Sequence, residues 1–143
     1  MRKNAKNNKK GFTLIELIVV VAILVALMLM LVPRLTGFTD DAKKTANSAN
    51  ARAIYTAIKA SETAKTTGMY DTPVTTGENA NAVKLCGVDV YKAFWDDEEI
   101  AAGTGTSQCS VEQDASHDNA VTKVYYGGAA DGKLTGFYPQ NAE

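Results

Sequence analysis

The stretch from Phe12 to Val32 reads FTLIELIVVVAILVALMLMLV, 21 residues broken only by Thr13 and Glu16. As a helix rising about 1.5 Å per residue it spans roughly 31 Å, the thickness of a bilayer's hydrocarbon core. Apolar residues occupy every face, so an amphipathic surface helix is excluded. Its Val and Ile content is not a strand signal either, because strands rarely exceed about 10 residues. The pattern predicts one membrane-spanning helix.

Five basic residues and no acid precede it: Arg2, Lys3, Lys6, Lys9 and Lys10 give residues 1–11 a charge of +5. The whole chain of 143 residues has 15 basic and 16 acidic residues, so residues 12–143 hold 10 against 16, a charge of −6. Basic residues gather on the cytoplasmic side of a span, which puts the N-terminus in the cytoplasm and the rest outside. A chain that acidic beyond its leading residues lacks the clustered Lys and Arg that bind nucleic acid, so no direct nucleic-acid partner is expected. One histidine, His117, and two cysteines argue against metal-centred and His-dependent catalysis. Neither an enzyme nor a cofactor-binding protein is expected. With 45% hydrophobic and 22% charged residues, the composition is that of an ordinary globular chain with room for one modest domain.

Glu16 decides between three readings of the apolar run. A secretory signal has an apolar core of about 7–15 residues and a small-x-small cleavage site after it. This run is longer, and Met28 to Arg34 offers no such site. A plain single-pass anchor fits the length but leaves Glu16 unexplained, since a charge inside a membrane helix costs about 2.5–3.5 kcal/mol. Cutting the chain before Phe12 removes the difficulty. Phe12 then carries a free, largely cationic α-amine. Glu16 lies one helical turn on, in the first turn, where the helix dipole favours an anion. The carboxylate can pair with that amine in its own chain or in a neighbouring one, and the second pairing makes a buried charge an instruction for assembly.

The segment KKGFTLIELIVVVAILVALMLMLVP, Lys9 to Pro33, resembles the prepilin leader and N-terminal helix of type IV pilins and related pseudopilins. The resemblance implies a prepilin peptidase that cuts after Gly11 and methylates the new N-terminal Phe12. It implies an assembly role for Glu16 and a helix kink at Pro33. The short basic leader is similar to that of the a-type pilins. It implies an α+β pilin fold, with a long N-terminal helix, transmembrane then amphipathic, packed on a small antiparallel β-sheet head.

Downstream, Pro33 and Gly37 are expected to end or bend the apolar helix. A resumption is expected at Asp40, with Thr39 as N-cap and Asp40 and Asp41 in the first turn. Ala42, Ala46, Ala49, Ala53, Ala57, Ala60 and Ala64 then form one helical stripe beside Ile54, Tyr55 and Ile58. From Ile54 to Ala64 that face is expected to pack on the chain's own sheet, and from Ala42 to Ala49 on neighbouring subunits. Gly68 reads as the residue past the helix end and Pro73 as a stop. Ala82 to Trp95 reads as one short helix or strand. Cys109–Gln113, Val121–Tyr126 and Leu134–Tyr138 read as an antiparallel sheet, with a turn at Asp131-Gly132. Tyr125, Tyr126, Phe137 and Tyr138 read as core and cross-strand pairs.

Cys86 and Cys109 fall in the part placed outside the cell, where a disulfide between them is expected. A metal pair lacks partner ligands at suitable spacing. Gly127 to Lys133 fits G-x-x-x-x-G-K, but Leu134 stands where a P-loop needs Ser or Thr. Asp114, Ser116 and Asp118 alternate like calcium ligands, yet Asn119 and Tyr125 replace the glycine and glutamate such a loop needs, so a solvated loop is expected. The acidic run Asp96 to Glu99 reads as a solvated loop too.

These readings divide the chain into a leader (1–11), a membrane and assembly segment (12–33), an amphipathic helical half (34–66) and an extracellular β-rich head (67–143). The expected function is that of a structural subunit in a helical filament of identical subunits. Its expected partners are the prepilin peptidase, the pilus assembly machinery and the membrane. It would be anchored in the cytoplasmic membrane first and reside in an extracellular pilus afterwards. The alternatives are a pseudopilin of a type II secretion system or competence pilus, and a single-pass protein with an extracellular ligand-binding domain.

Overall fold

The computed structural model describes residues 11–70, 81–128 and 134–140. Two compact units divide the chain, Met1–Thr39 and Asp40–Glu143, and one helix, α1 (Leu14–Thr66, 53 residues), contributes to both. In the first unit every described residue is exposed.

Of the end or bend expected at Pro33 and Gly37, the end does not occur, nor does the fresh start at Asp40. The helix continues through both, and Thr39 is no N-cap, since its hydroxyl donates to the Thr36 carbonyl at 2.8 Å. Thr36 in turn donates to the carbonyl of Pro33 at 3.0 Å. Proline removes only one backbone donor, and the ladder continues on either side of it.

In the second unit α1 packs on two small antiparallel sheets. The first pairs β1 (Ala82–Leu85) with β2 (Val88–Tyr91). The second has the order β3 (Cys109–Asp114), β4 (Ala120–Tyr126), β5 (Gly136–Tyr138). The strands expected near the C-terminus are therefore present, whereas Asp131-Gly132 and Pro73 lie outside the described residues. Ala82 to Trp95 is neither one helix nor one strand but a hairpin followed by a turn. Leu85 pairs with Val88 across Cys86 and Gly87, whose φ angles of 55° and 84° are both positive. A two-residue turn of that kind matches the twist of its strands and normally uses Asn-Gly or Asp-Gly, so Cys-Gly disguises it.

Val121 and Val124 are both fully buried although they lie three apart on β4, where alternation would point them to opposite faces. A register shift between Glu112 and Gln113 explains this. Glu112 faces Lys123 and Gln113 faces Val121, which leaves Thr122 as an extra residue on β4.

The two sheets are joined by the segment Ile100–Gly103. Cys86 N–H donates to Ile100 O (3.0 Å), Cys109 N–H to Ala101 O (3.1 Å) and Gly103 N–H to Cys109 O (2.8 Å). The Cys86–Cys109 disulfide crosses the same join and lies in the core. Closing a span of 23 residues contributes about 3 kcal/mol by chain-entropy reasoning.

The helix face against the sheets is Ala51, Ile54, Ala57, Ile58, Ser61 and Ala64, all buried. The alanine stripe coincides with it only at Ala57 and Ala64. Ala42, Ala46, Ala49 and Ala53 are exposed and Ala60 is half-buried, because the two isoleucines, with more apolar area to bury, set the inward direction. Ile54 and Ile58 meet Leu85, Val90, Val121 and Val124 in one cluster. Side-chain hydrogen bonds fix the helix to each sheet. Ser61 Oγ accepts from Tyr91 N–H (3.1 Å), Glu62 Oε1 from Val121 N–H (2.8 Å), and Asn47 Nδ2 donates to Leu134 O (2.6 Å). The aromatic residues of the second sheet pair as expected, Tyr125 with Phe137 across the strands and Tyr138 edge-on to Tyr55 on the helix at 5.3 Å. Gly68 (φ 65°) ends α1 as expected. Met69 N–H reaches Ala64 O (3.0 Å) and Gly68 N–H reaches Lys65 O (3.4 Å), a Schellman closure.

Gly136 marks where β5 crosses the helix. A Cβ there would collide with the backbone of Asn47 and Ser48, whereas a Cβ on Gly37 would meet nothing within 4 Å. Gly136→Ala should therefore destabilise the head by about 1–3 kcal/mol, while Gly37→Ala should gain up to ~1 kcal/mol from helix propensity. Thermal unfolding of the detergent-solubilised chain, followed by Trp95 fluorescence, measures both. An unchanged Tm for Gly136→Ala would reject the close approach.

Candidate functional site

Gly11, Phe12 and Thr13 precede the first helical residue, Leu14. Phe12 is 89% exposed and nothing lies within 4 Å of a Cβ built on Gly11, so the Gly11–Phe12 peptide bond is open to approach. Thr13 then makes the helix start. Its N–H donates to Glu16 Oε2 at 2.8 Å, and the Glu16 N–H donates back to Thr13 Oγ1 at 3.4 Å. This is a reciprocal capping box, which satisfies two of the backbone donors a helix leaves unpaired at its N-terminus.

Thr13 is the capping residue that the sequence reading passes over. The T-x-x-E spacing ahead of an apolar run is its signature, visible in TLIE. Phe12 and Glu16 are close in sequence, but in the uncut chain the Phe12 nitrogen is an amide, and the carboxylate is held by Thr13.

Beyond this turn the helix is long and apolar enough to cross a membrane. Its most apolar 18-residue window has a mean hydropathy of 3.2, with none of it buried in the structure. That is consistent with membrane anchoring. Pro33 lies inside α1, and Cys86 and Cys109 form the disulfide in the other unit.

The remaining sequence candidates resolve into local structure. Asp96 to Glu99 is an exposed loop, and Trp95 Nε1 donates to Glu98 O at 3.1 Å. Gly127 and Gly128 have positive φ, and Gly127 N–H donates to Gln108 O (2.9 Å); Ala129 to Lys133 lie outside the described residues. Among the described residues, no group of three or more His, Cys, Asp or Glu is placed to hold a metal ion. The β3–β4 turn is instead closed on itself. Asp114 Oδ1 accepts from Ser116 N–H (2.9 Å) and Ser116 Oγ–H (2.5 Å), and Asp114 Oδ2 lies 2.7 Å from His117 Nδ1. The resemblance to a Ser–His–Asp triad is superficial, because serine and aspartate both meet the same ring nitrogen. Across the sheet the Tyr125 hydroxyl donates to Glu112 Oε1 (2.7 Å), and that bond to a carboxylate raises its pKa.

The hydrogen bonds from Ser116, with a smaller contribution from His117, lower the Asp114 pKa from the ordinary 3.8 to about 2. A carboxylate with a depressed folded pKa stabilises the fold above its unfolded pKa and loses that contribution as pH falls through the folded one. The β3–β4 turn should therefore loosen between pH 3.8 and about 2. An NMR titration of the Ser116 amide should show a midpoint near 2, and Asp114→Asn should abolish the transition. A midpoint at or above 3.8 would count against the turn geometry.

Comparison with known proteins bears on the N-terminal turn. No curated protein and no solved structure matches the chain. The family model described as the prokaryotic N-terminal methylation motif matches residues 6–32, which span Gly11, Phe12, Thr13, Glu16 and the apolar helix up to the residue before Pro33. With a long helix packed on small antiparallel sheets behind it, the chain is prepilin-like: it carries the N-terminal methylation motif shared by type IV pilins and pseudopilins.

Proposed function

We propose that this chain is the structural subunit of a type IV pilus-like filament. Prepilin peptidase cuts it after Gly11 and methylates Phe12, and the assembly machinery polymerises it through its N-terminal helix. The observation that carries the reading is an apolar helix that its own chain leaves bare, with one acid in its first turn, inside a methylation motif. Such a helix has two places to go. A bilayer takes it first, with the basic leader in the cytoplasm, and a bundle of identical helices takes it afterwards. Residues 1–11 are then the leader, 12–33 the anchoring and assembly segment, 34–66 the helical half that carries the head, and 67–143 the extracellular head. Pro33, which lacks a backbone donor, is where the helix would bend as subunits pack. The motif serves pseudopilins equally, so a short filament that drives secretion or DNA uptake is the second reading, and adhesion belongs to the first.

Processing is tested on the mature protein, whose N-terminus should be a methylated Phe12 by mass spectrometry. Gly11→Val should leave the leader attached, since it puts bulk beside the bond to be cut while touching nothing in the chain itself. Assembled protein that still begins at Met1 would reject the leader assignment.

Assembly is tested at Glu16. In a dry filament core an incoming Phe12 amine without its carboxylate partner costs about 3–5 kcal/mol. Glu16→Ala, expressed as sole subunit, should insert in the membrane normally yet yield few or no sheared filaments. A normal filament yield would leave a plain anchor as the better reading.

A further inference from the structure

The head carries an apolar groove on the solvent side of α1. Two adjoining hollows of about 490 and 510 Å³ share Thr56, Ala60 and Phe94 among their lining residues. Small residues form the floor: Ala53, Thr56 and Ala60. Thr56 gives its hydroxyl proton to the Arg52 carbonyl (2.8 Å), which leaves its methyl to the groove. Phe94, Trp95 and Tyr138 form the walls.

The rim on the Trp95 side is acidic. Asp96, Asp97, Glu98 and Glu99 follow directly, all exposed, and none makes an ion pair among the described residues. Two cations that line the groove, Arg52 and Lys59, have partners of their own. Arg52 lies over the Tyr138 ring at 5.5 Å from its centroid, and Lys59 pairs with Glu62 at 2.7 Å.

A complementary feature lies in the other unit. Leu35 and Phe38, one turn apart, are 57% and 76% exposed just past the apolar run. Arg34 stands beside them, and no acid occurs between Glu16 and Asp40 to neutralise it. An apolar knob next to a cation matches an apolar groove next to carboxylates, none of these charges making an ion pair among the described residues.

We propose that the groove takes the Leu35–Phe38 knob of a second copy of this chain, with Arg34 of that copy set against Asp96–Glu99. The inference rests on the filament reading and names one of its contacts. Knob and groove are different surfaces, so the contact is heterologous. Every bound copy offers a fresh groove and a fresh knob, and the chain of contacts stays open. An anionic lipid or acidic partner is a poor occupant, because the rim repels it.

The test is cross-linking in native filaments. Cys86 and Cys109 are already bridged, so introduced cysteines have no competing thiols. Filaments of the double variant Phe38→Cys, Thr56→Cys, mildly oxidised, should run as a ladder of multimers on a non-reducing gel, whereas each single variant should run as monomer. Co-expressing the two single variants keeps the measurement possible if the double variant assembles poorly, since mixed filaments of the two should give dimers. A charge exchange supplies a second readout. Arg34→Glu and the pair Asp97→Arg, Glu98→Arg should each cut filament yield about tenfold or more, and their combination should restore it. Wild-type-like filaments that give no cross-link and ignore the charge reversals would overturn the contact while leaving the filament reading in place. Absence of any filament from the wild-type chain would instead reject the filament reading itself.

Discussion

An apolar helical stretch, Leu14 to Val32 broken only by Glu16, that its own chain does not cover sets the terms for everything else in this molecule. Each large hydrophobic side chain from Phe12 to Val32 is at least 50% exposed. Full burial of one such side chain is worth about 1.5–3 kcal/mol, so water is not a tolerable solvent for this segment. Some other apolar phase must receive it, either lipid or more of the same helix. The head is therefore obliged to fold without help from the first half of α1, whichever phase that half occupies.

The head meets that obligation with little apolar material. Among the described residues its buried cluster draws Ala51, Ile54, Ala57 and Ile58 from the helix and Leu85, Val90, Val121 and Val124 from the strands, with the two cysteines. A core of that size leaves a narrow margin over conformational entropy. The disulfide narrows the unfolded ensemble at the join of the two sheets. The polar contacts of Ser61, Glu62 and Asn47 supply what apolar packing alone lacks, a single register of helix on sheet. Each satisfies a backbone group at a strand or strand approach, so sliding the helix by one turn would leave those groups unpaired in a partly buried setting.

Where the chain was legible in advance, one strong signal decided the structure locally. The apolar run needs no tertiary information to be read as a helix, and Val121–Tyr126 is rich in the β-branched and aromatic residues that favour a strand. Gly68 announced the helix end because few other residues accept its φ. The rest depended on contacts that no local pattern encodes. The Cys-Gly turn hides the first hairpin, since Cys86 takes a positive φ while also serving the disulfide. The alanine stripe misleads because smallness permits close packing without demanding it, whereas Ile54 and Ile58 do demand burial. An end at Pro33 does not follow from its missing donor, because the hydrogen-bond ladder on either side continues. At the candidate site, Glu16 stood out as a charge in the wrong solvent, and Thr13 did not, although the two belong to one hydrogen-bonded box.

If the chain assembles as proposed, that box bears on how a single carboxylate would serve both insertion and assembly. In the chain's own helix start, Thr13 N–H engages Oε2, and among the described residues no hydrogen bond engages Oε1. A carboxylate has lone pairs for several donors, so the cap leaves one oxygen able to accept a neighbour's ammonium group. With the cap in place the charge is already partly solvated by its own backbone when the segment enters the bilayer, and its side chain is held in one rotamer rather than many. A partner arriving with an α-ammonium then meets an oriented acceptor, which lowers the ordering cost of the ion pair. On the proposed filament reading, capping and subunit pairing are successive uses of the same group, and Thr13, an interruption of the apolar run, is what would make them compatible.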